Sequence, residues 1–585
     1  MWLLLAALLT SCTDGNDIAP GEALNAARSA CAAAAEAQAG YCRDQCTRTP
    51  AMAFGNGCAV ECDAESVRAI ELCNSDINVF EPTCVGVNCV TEIDDCRAEA
   101  SVENEMCTSD CAPDNLYCQL QCSKANVSAE QSCGFLPAAL GTGGVALPDL
   151  PSGKAADLSL LLDADELAVV TAADARAETL RGRPVRLWTG NPNAEVTVTQ
   201  VEHAFQFGVP LDIREFRDEP GNLDFYSSIA RPQTSLLVAE TSLKWRNTER
   251  EEGVLTFDLA DEELAFAEGA GFDVKAHVLL WGNPPPVASG SGTPEWLRDK
   301  FPDPDLTEEE KAELRSLIKQ RIETVVTRYK GRIDVWEVTN EMLNPLTPWF
   351  IDRLGPTVVD DAFRWAKAAD PGAQLVYNEW ISEIFTGVGG PDTLAVRDRI
   401  LELLDAGVPV DALGQQGHFA PGLVNIGVDV DLSQRTRVDD YADALANLAE
   451  TGLPIHITEV TFAAPGEPEL RAAQAEAIMR VWWGHPLVEE IIFWNFWNPL
   501  GPRSRLDLGV YNDDGNLSRH GEAILALVND RWRTQVEGFT DGRGVIEMHA
   551  THGDYVAQWT TPEGPRHVRF SVSAGSGALD VVAVE

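Results

Sequence analysis

The chain has 585 residues, 45% of them hydrophobic and 23% charged, an ordinary globular balance over more residues than one core fills. The formal net charge of −47 is not ordinary. Such a surface repels phosphates and anionic lipid, which excludes DNA and RNA as partners and leaves a neutral polymer acceptable.

Residues 2–11 (WLLLAALLTS) form an apolar run, too short to span a bilayer, that ends at Cys12. The run reads as the core of an export signal. Leu9-Thr10-Ser11-Cys12 resembles the bacterial lipobox, which implies lipidation of Cys12 and a chain held at the cell surface or outer membrane through that anchor alone. The alternative is ordinary cleavage and secretion.

All 15 cysteines lie at or before Cys133. With Cys12 set aside an even set remains, which in an exported chain points to disulfides. Cys31, Cys42, Cys46, Cys58, Cys62 and Cys73 are spaced as a palindrome, and so are Cys96, Cys107, Cys111, Cys118, Cys122 and Cys133. A palindrome suits an antiparallel helical hairpin, because positions 0, 11 and 15 of a helix fall within about 60° of one another. The expected rungs are Cys31–Cys73, Cys42–Cys62 and Cys46–Cys58, then Cys96–Cys133, Cys107–Cys122 and Cys111–Cys118. Cys84 and Cys89 close a loop between the hairpins. Zinc, the competing reading, leaves the outer cysteines and the symmetry unexplained.

Residues 134–160, rich in Gly, Pro and Ala, read as a linker. Short apolar runs then recur at 203–209, 235–240, 273–280, 333–339, 374–378, 410–416, 454–459 and 490–495, with helical patterns such as TEEEKAELRSLIKQRIETVVTRY between them. Eight strands alternating with helices predict an α/β chain with a (β/α)8 TIM barrel, whose chemistry sits at the C-terminal ends of the strands. The predicted organisation is therefore signal and lipobox at 1–12, a cysteine-rich region of two helical hairpins (31–73 and 96–133) at 13–133, and a linker at 134–160. A short β segment at 161–202 precedes the barrel at 203–535, and a small C-terminal β extension fills 536–585.

The fourth run ends in WEVTNE, closing on Glu341, and the seventh ends in ITE, closing on Glu459. Two carboxylates at opposed strand ends face each other across a barrel mouth, the arrangement of a glycosidase: one protonates the leaving oxygen and the other attacks the anomeric carbon. The dipeptide Asn-Glu recurs at Asn378-Glu379, so agreement among several strand ends carries more weight than either glutamate alone.

Those ends agree. ETSLKW (240–245), KAHVLLW (275–281), WEVTNE (336–341), GQQGHF (414–419), ITE (457–459) and FWNFW (493–497) resemble the strand-end motifs of glycoside hydrolase family 10, and DRLGP (352–356), ADPGAQLVYNEW (369–380) and LAETGLPIHITEV (448–460) look closest to its plant-type branch. The likeness spans the barrel, and 174–208 resembles a segment that often precedes it. The resemblance implies a retaining endo-1,4-β-xylanase with Glu341 as acid/base and Glu459 as nucleophile. It implies that Asn340 binds the sugar 2-hydroxyl and that His418 orients Glu459. Lys244, His277 and Gln416 would bind the sugar nearest the chemistry, Glu240 the next one, and Trp281 and Trp494 the pyranose faces. Xylan or arabinoxylan is the implied substrate; no cofactor, no metal and a monomer are expected. Thr241, Gly282 and Thr461 stand where the family usually has Asn, His and Asp, which bears on substrate preference. The alternatives are a related β-1,4-glycanase with altered subsites, or a surface lipoprotein that binds polysaccharide without cutting it.

Overall fold

The computed structural model describes residues 135–148, 150–217, 221–282, 292–345, 348–383, 390–419, 436–462, 468–499, 508–575 and 577–584. Cys12, the cysteine hairpins and their disulfide pairings lie outside these residues.

Eight parallel strands close on themselves: β1 (Gln206–Leu211), β2 (Leu236–Ala239), β3 (Asp273–Trp281), β4 (Val335–Asn340), β5 (Gln374–Glu379), β6 (Ala412–Gln415), β7 (Ile455–Phe462) and β8 (Val488–Phe493). Each pairs with the next, and β8 pairs back to β1 with Glu490 opposite Gln206. The fold is a (β/α)8 TIM barrel. Strands covered by helices outside and by one another inside bury both faces, so they read as apolar runs; every residue of β2 and of β7 is buried.

Helix α1 (Asp258–Ala270) follows β2, and helix α2 (Glu308–Tyr329) follows β3. A capping box between Thr307 and Glu310 starts α2, and Leu314, Ile318, Ile322, Val325 and Tyr329 form its buried stripe.

Two expectations change. The stretch 161–202 is not simply a β segment: Ala164–Leu180 is a helix, capped by Asp163 and Glu166. Its alanine-rich sequence favours that state over the strands that follow it. It packs on the helix Pro468–Trp483, so closely that a Cβ on Gly484 would stand 2.2 Å from the Ala173 carbonyl oxygen. Nor is 134–160 only a linker. Phe135–Ala139 and Gly141–Thr142 are strands. Farther on, Asp530 accepts from Ser152 and from the Gly153 N–H, and Glu476 accepts the Ala156 N–H at 2.6 Å. Side chains here supply the partners that regular structure would otherwise give the backbone.

Beyond the barrel, Glu195–His203 pairs antiparallel with Gln535–Phe539 and with Gly553–Thr561, which continues to Gly564–Val572 and Gly141–Thr142. The chain divides into two compact units. The smaller holds Phe135–Ala139 in parallel register with Leu579–Val584, where Asp580 accepts from Trp188 Nε1 at 2.9 Å. The larger holds the barrel. Among the described residues no helix is long and apolar enough to cross a membrane.

Candidate active site

The barrel brings the predicted residues to one end. Trp281 and Asn340 are the last residues of β3 and β4; Glu240, Glu341, Gln416 and Trp494 each follow the last residue of their strand. Glu459 lies within β7, and His418 begins a two-residue strand that pairs with Thr461 and Phe462. Gly417 turns the chain between Gln416 and His418 at φ +75°, and a Cβ there would come within 2.7 Å of Ile457.

Glu341 follows β4 with φ of +58°, a conformation a side chain rarely adopts. Its Oε1 accepts from Gln416 Nε2 at 3.0 Å and its Oε2 from Asn344 Nδ2 at 2.9 Å. Burial pushes the Glu341 carboxyl above its ordinary value; the Gln416 and Asn344 hydrogen bonds oppose the rise and the charge of Glu459 adds to it.

Glu459 is 6% exposed. Its Oε1 accepts from Asn378 Nδ2 at 3.0 Å, and its Oε2 lies 3.2 Å from His418 Nε2. A carboxylate only accepts, so the proton facing it belongs to His418. On the far side of the ring, Nδ1 lies 3.1 Å from the Thr461 hydroxyl, itself 2.9 Å from Asn495 Oδ1.

The sugar-side residues are linked to this pair. Lys244 Nζ stands 5.1 Å from the centre of the Trp281 ring. His277 meets Trp281 and Trp494 edge-to-face, with Trp494 at 5.5 Å. Burial raises the Glu240 carboxyl and lowers the Lys244 amine, while each one's charge opposes the other's shift. Trp245 and Trp336 are buried supports; Trp245 Nε1 donates to Glu249 at 2.7 Å.

Several members of the site are not evident from strand ends. Asn378, on β5, lies 3.0 Å from both Asn340 Oδ1 and Glu459 Oε1, and its own Oδ1 accepts from Thr458 at 2.7 Å. The dipeptide that argued for caution thus enters the site through its asparagine. Glu337 accepts from His277 Nδ1 at 2.6 Å. Beneath it Lys275 donates to Glu490 at 2.6 Å and to His456 Nδ1 at 3.2 Å. Burial pushes His456 down to about 4, which fits a neutral ring accepting from the lysine. Glu379, buried and raised by that burial, accepts the Leu343 N–H at 2.9 Å and so holds the turn after Glu341. One signal marks most of these residues: a charged or amide side chain inside a strand whose neighbours are apolar.

His277, Glu337 and Glu459 approach closely enough to form a trio of possible metal donors. Glu337 and His277 are already bonded to each other and Glu459 to Asn378, so the donors satisfy protein partners. The arrangement is instead a pair of glutamates, one held toward its protonated form, at adjoining ends of a polar network.

Residues 198–500 match the family model described as Glycosyl hydrolase family 10. The chain belongs to glycosyl hydrolase family 10. Among curated relatives, it is 30% identical over 388 residues to Anti-sigma-I factor RsgI6 of Acetivibrio thermocellus, covering 66% of this chain and 45% of that protein. It is 27% identical over 369 residues to Endo-1,4-beta-xylanase 1 of Arabidopsis thaliana, covering 63% and 35%. It is 28% identical over 283 residues to Endo-1,4-beta-xylanase B of Thermotoga neapolitana, covering 46% and 72%. The chain spans less than half the length of the first two of these relatives. Native xylanase 10B from Thermotoga maritima, a solved structure, aligns at 26% identity with a TM-score of 0.46, covering 56% of this chain and 96% of that one.

Proposed function

We propose that this chain is a retaining endo-1,4-β-xylanase acting on xylan or arabinoxylan, with Glu341 as acid/base and Glu459 as nucleophile. The observation that carries the reading is the contrast between the two glutamates. Burial raises the Glu341 carboxyl and the charge of Glu459 adds to the rise, whereas Glu459 accepts from Asn378 and meets the His418 ring at its other oxygen.

In the first step Glu459 attacks the anomeric carbon, the glycosidic C–O bond breaks, and the Glu341 proton passes to the departing oxygen. In the second, Glu341 takes a proton from water, whose oxygen displaces Glu459 from the same carbon and regenerates both groups. Asn340 is placed to hold the sugar 2-hydroxyl beside Glu459. His277 engages Glu337 through Nδ1, which directs Nε2 to a sugar hydroxyl. Lys244 and Gln416 bind the same sugar and Glu240 its neighbour, with Trp281 and Trp494 supplying ring faces. His418 holds Glu459 in orientation.

The test is product stereochemistry on xylohexaose by proton NMR. β-Anomer appearing first, before mutarotation, agrees with the proposal; α-anomer first defeats it. A second reading is favoured by one observation, that a matched relative is named an anti-sigma factor rather than an enzyme. Under that reading the cleft binds polysaccharide without cutting it. Tight binding of xylohexaose with no product at any pH would select it.

A further inference from the structure

Helix α1 carries a carboxylate where its pattern calls for an apolar residue. Its buried face is Ala260, Glu263, Leu264 and Ala267, and Glu263 is 0% exposed. The side chain does not point to solvent. Its Oε1 accepts the N–H of Ile213 at 3.0 Å, and its Oε2 is hydrogen-bonded to the Ser242 hydroxyl. Ile213 lies in the turn after β1, next to Asp212. Ser242 lies in the loop after β2, midway between Glu240 and Lys244. One buried side chain therefore ties the loop after β1 to the loop that carries Glu240 and Lys244.

We propose that Glu263 is a positioning residue: it latches the loop after β1 to the loop after β2 and so fixes Glu240 and Lys244 for the sugar chain. The inference rests on the xylanase reading for its substrate and adds a residue that never touches sugar. The charged groups facing Glu263 are Asp212, after β1, and Glu240, at the end of β2; Arg214 faces it too but is held by Asp212 at 2.6 Å. Burial pushes the Glu263 carboxyl up to about 8, with Asp212 and Glu240 adding to the rise. At neutral pH the acid is thus protonated. In that form the carboxyl still accepts from the Ile213 N–H and from the Ser242 hydroxyl without carrying a buried charge. Once ionised, the group is a buried anion beside Asp212 and Glu240, and their repulsion works against the two hydrogen bonds that form the latch.

The folded chain holds this proton more tightly than the unfolded chain, whose glutamates titrate near about 4.3. The stabilisation is whole below that value and lost as pH rises through about 8.

Glu263→Gln tests the latch, because its amide keeps an acceptor for Ile213 and a donor for Ser242 but cannot ionise. KM for xylohexaose and thermal melting are measured from pH 6 to 9.5 in the wild type, Glu263→Gln and Ser242→Ala. The expected result is a wild-type KM that rises at least about fivefold across pH 8, the lower end of ordinary coupling between sites. That rise flattens in Glu263→Gln, while kcat keeps its own alkaline fall in both. Ser242→Ala raises KM at every pH. A wild-type KM that stays level, or that rises equally in Glu263→Gln, overturns the proposal. So does a pH-dependent difference in melting with no difference in KM, which would make Glu263 a packing feature only. Absence of hydrolysis at every pH would instead defeat the xylanase reading; the melting comparison would still decide whether Glu263 titrates, and matching profiles would overturn the latch as well.

Discussion

Gln416 donates its side-chain amide to Glu341 Oε1 at 3.0 Å, and its backbone carbonyl accepts the N–H of Glu459 at 2.7 Å. One residue thus sets the orientation of both glutamates. Its amide favours the ionised form of Glu341, against the burial that raises it. The acid must be protonated to act, so kcat/KM falls as pH rises through the raised value. Gln416→Met removes the donor at similar volume. The alkaline limb of the pH profile is expected to move to higher pH, with kcat/KM at the optimum reduced about tenfold through lost positioning. A limb that moves to lower pH contradicts this.

Protonation of the leaving oxygen matters most when that oxygen is a poor leaving group. Glu341→Ala should lower kcat on xylan by about 10²–10⁴, the usual worth of a positioned general acid. The loss in the first step should be far smaller for an aryl xyloside with an acidic phenol, seen as a burst of phenol in a stopped-flow trace. Equal losses on both substrates would remove Glu341 from that role.

Thr461 joins His418 to Asn495 where a carboxylate is usual in the family. Thr461→Val keeps the shape and leaves two buried polar atoms without that hydroxyl. The expected cost is about 1–3 kcal/mol in urea unfolding, with a fall in kcat larger than any change in KM. Unchanged kcat would show that His418 needs no support from this side.

Lys275 sits among Glu490, Glu337 and His456 with no exposed surface. Lys275→Met strands two buried carboxylates and should destabilise the chain by about 3–5 kcal/mol. Lys275→Met with Glu490→Leu should recover part of that loss in the same unfolding assay. A double variant no better than the single one would place the cost in packing rather than charge.

The barrel was legible because strands buried on both faces are apolar runs, and because the chemistry of this fold gathers at their C-terminal ends. Glu341 and Glu459 could be found by reading those ends, and Gln416 and His418 by the likeness of GQQGHF to the family's motif. Asn378 could not, since the dipeptide it belongs to looks like coincidence until β5 sets it 3.0 Å from Glu459. Glu263 was hidden for a related reason: a carboxylate on an apolar helix stripe reads as surface until the loops that cover it are known. Phe135–Ala139 read as linker because its pairing partner, Leu579–Val584, lies at the other end of the chain. Ala164–Leu180 lies inside a stretch that reads as a β segment, although its alanines and its Asp163 cap announce a helix.

The central claim is tested most directly by release of reducing sugar from arabinoxylan by the whole chain, beside Glu341→Ala and Glu459→Ala. The account predicts xylo-oligosaccharides from the wild type and almost none from either variant. Release that survives in Glu459→Ala, or none from the wild type, would contradict it.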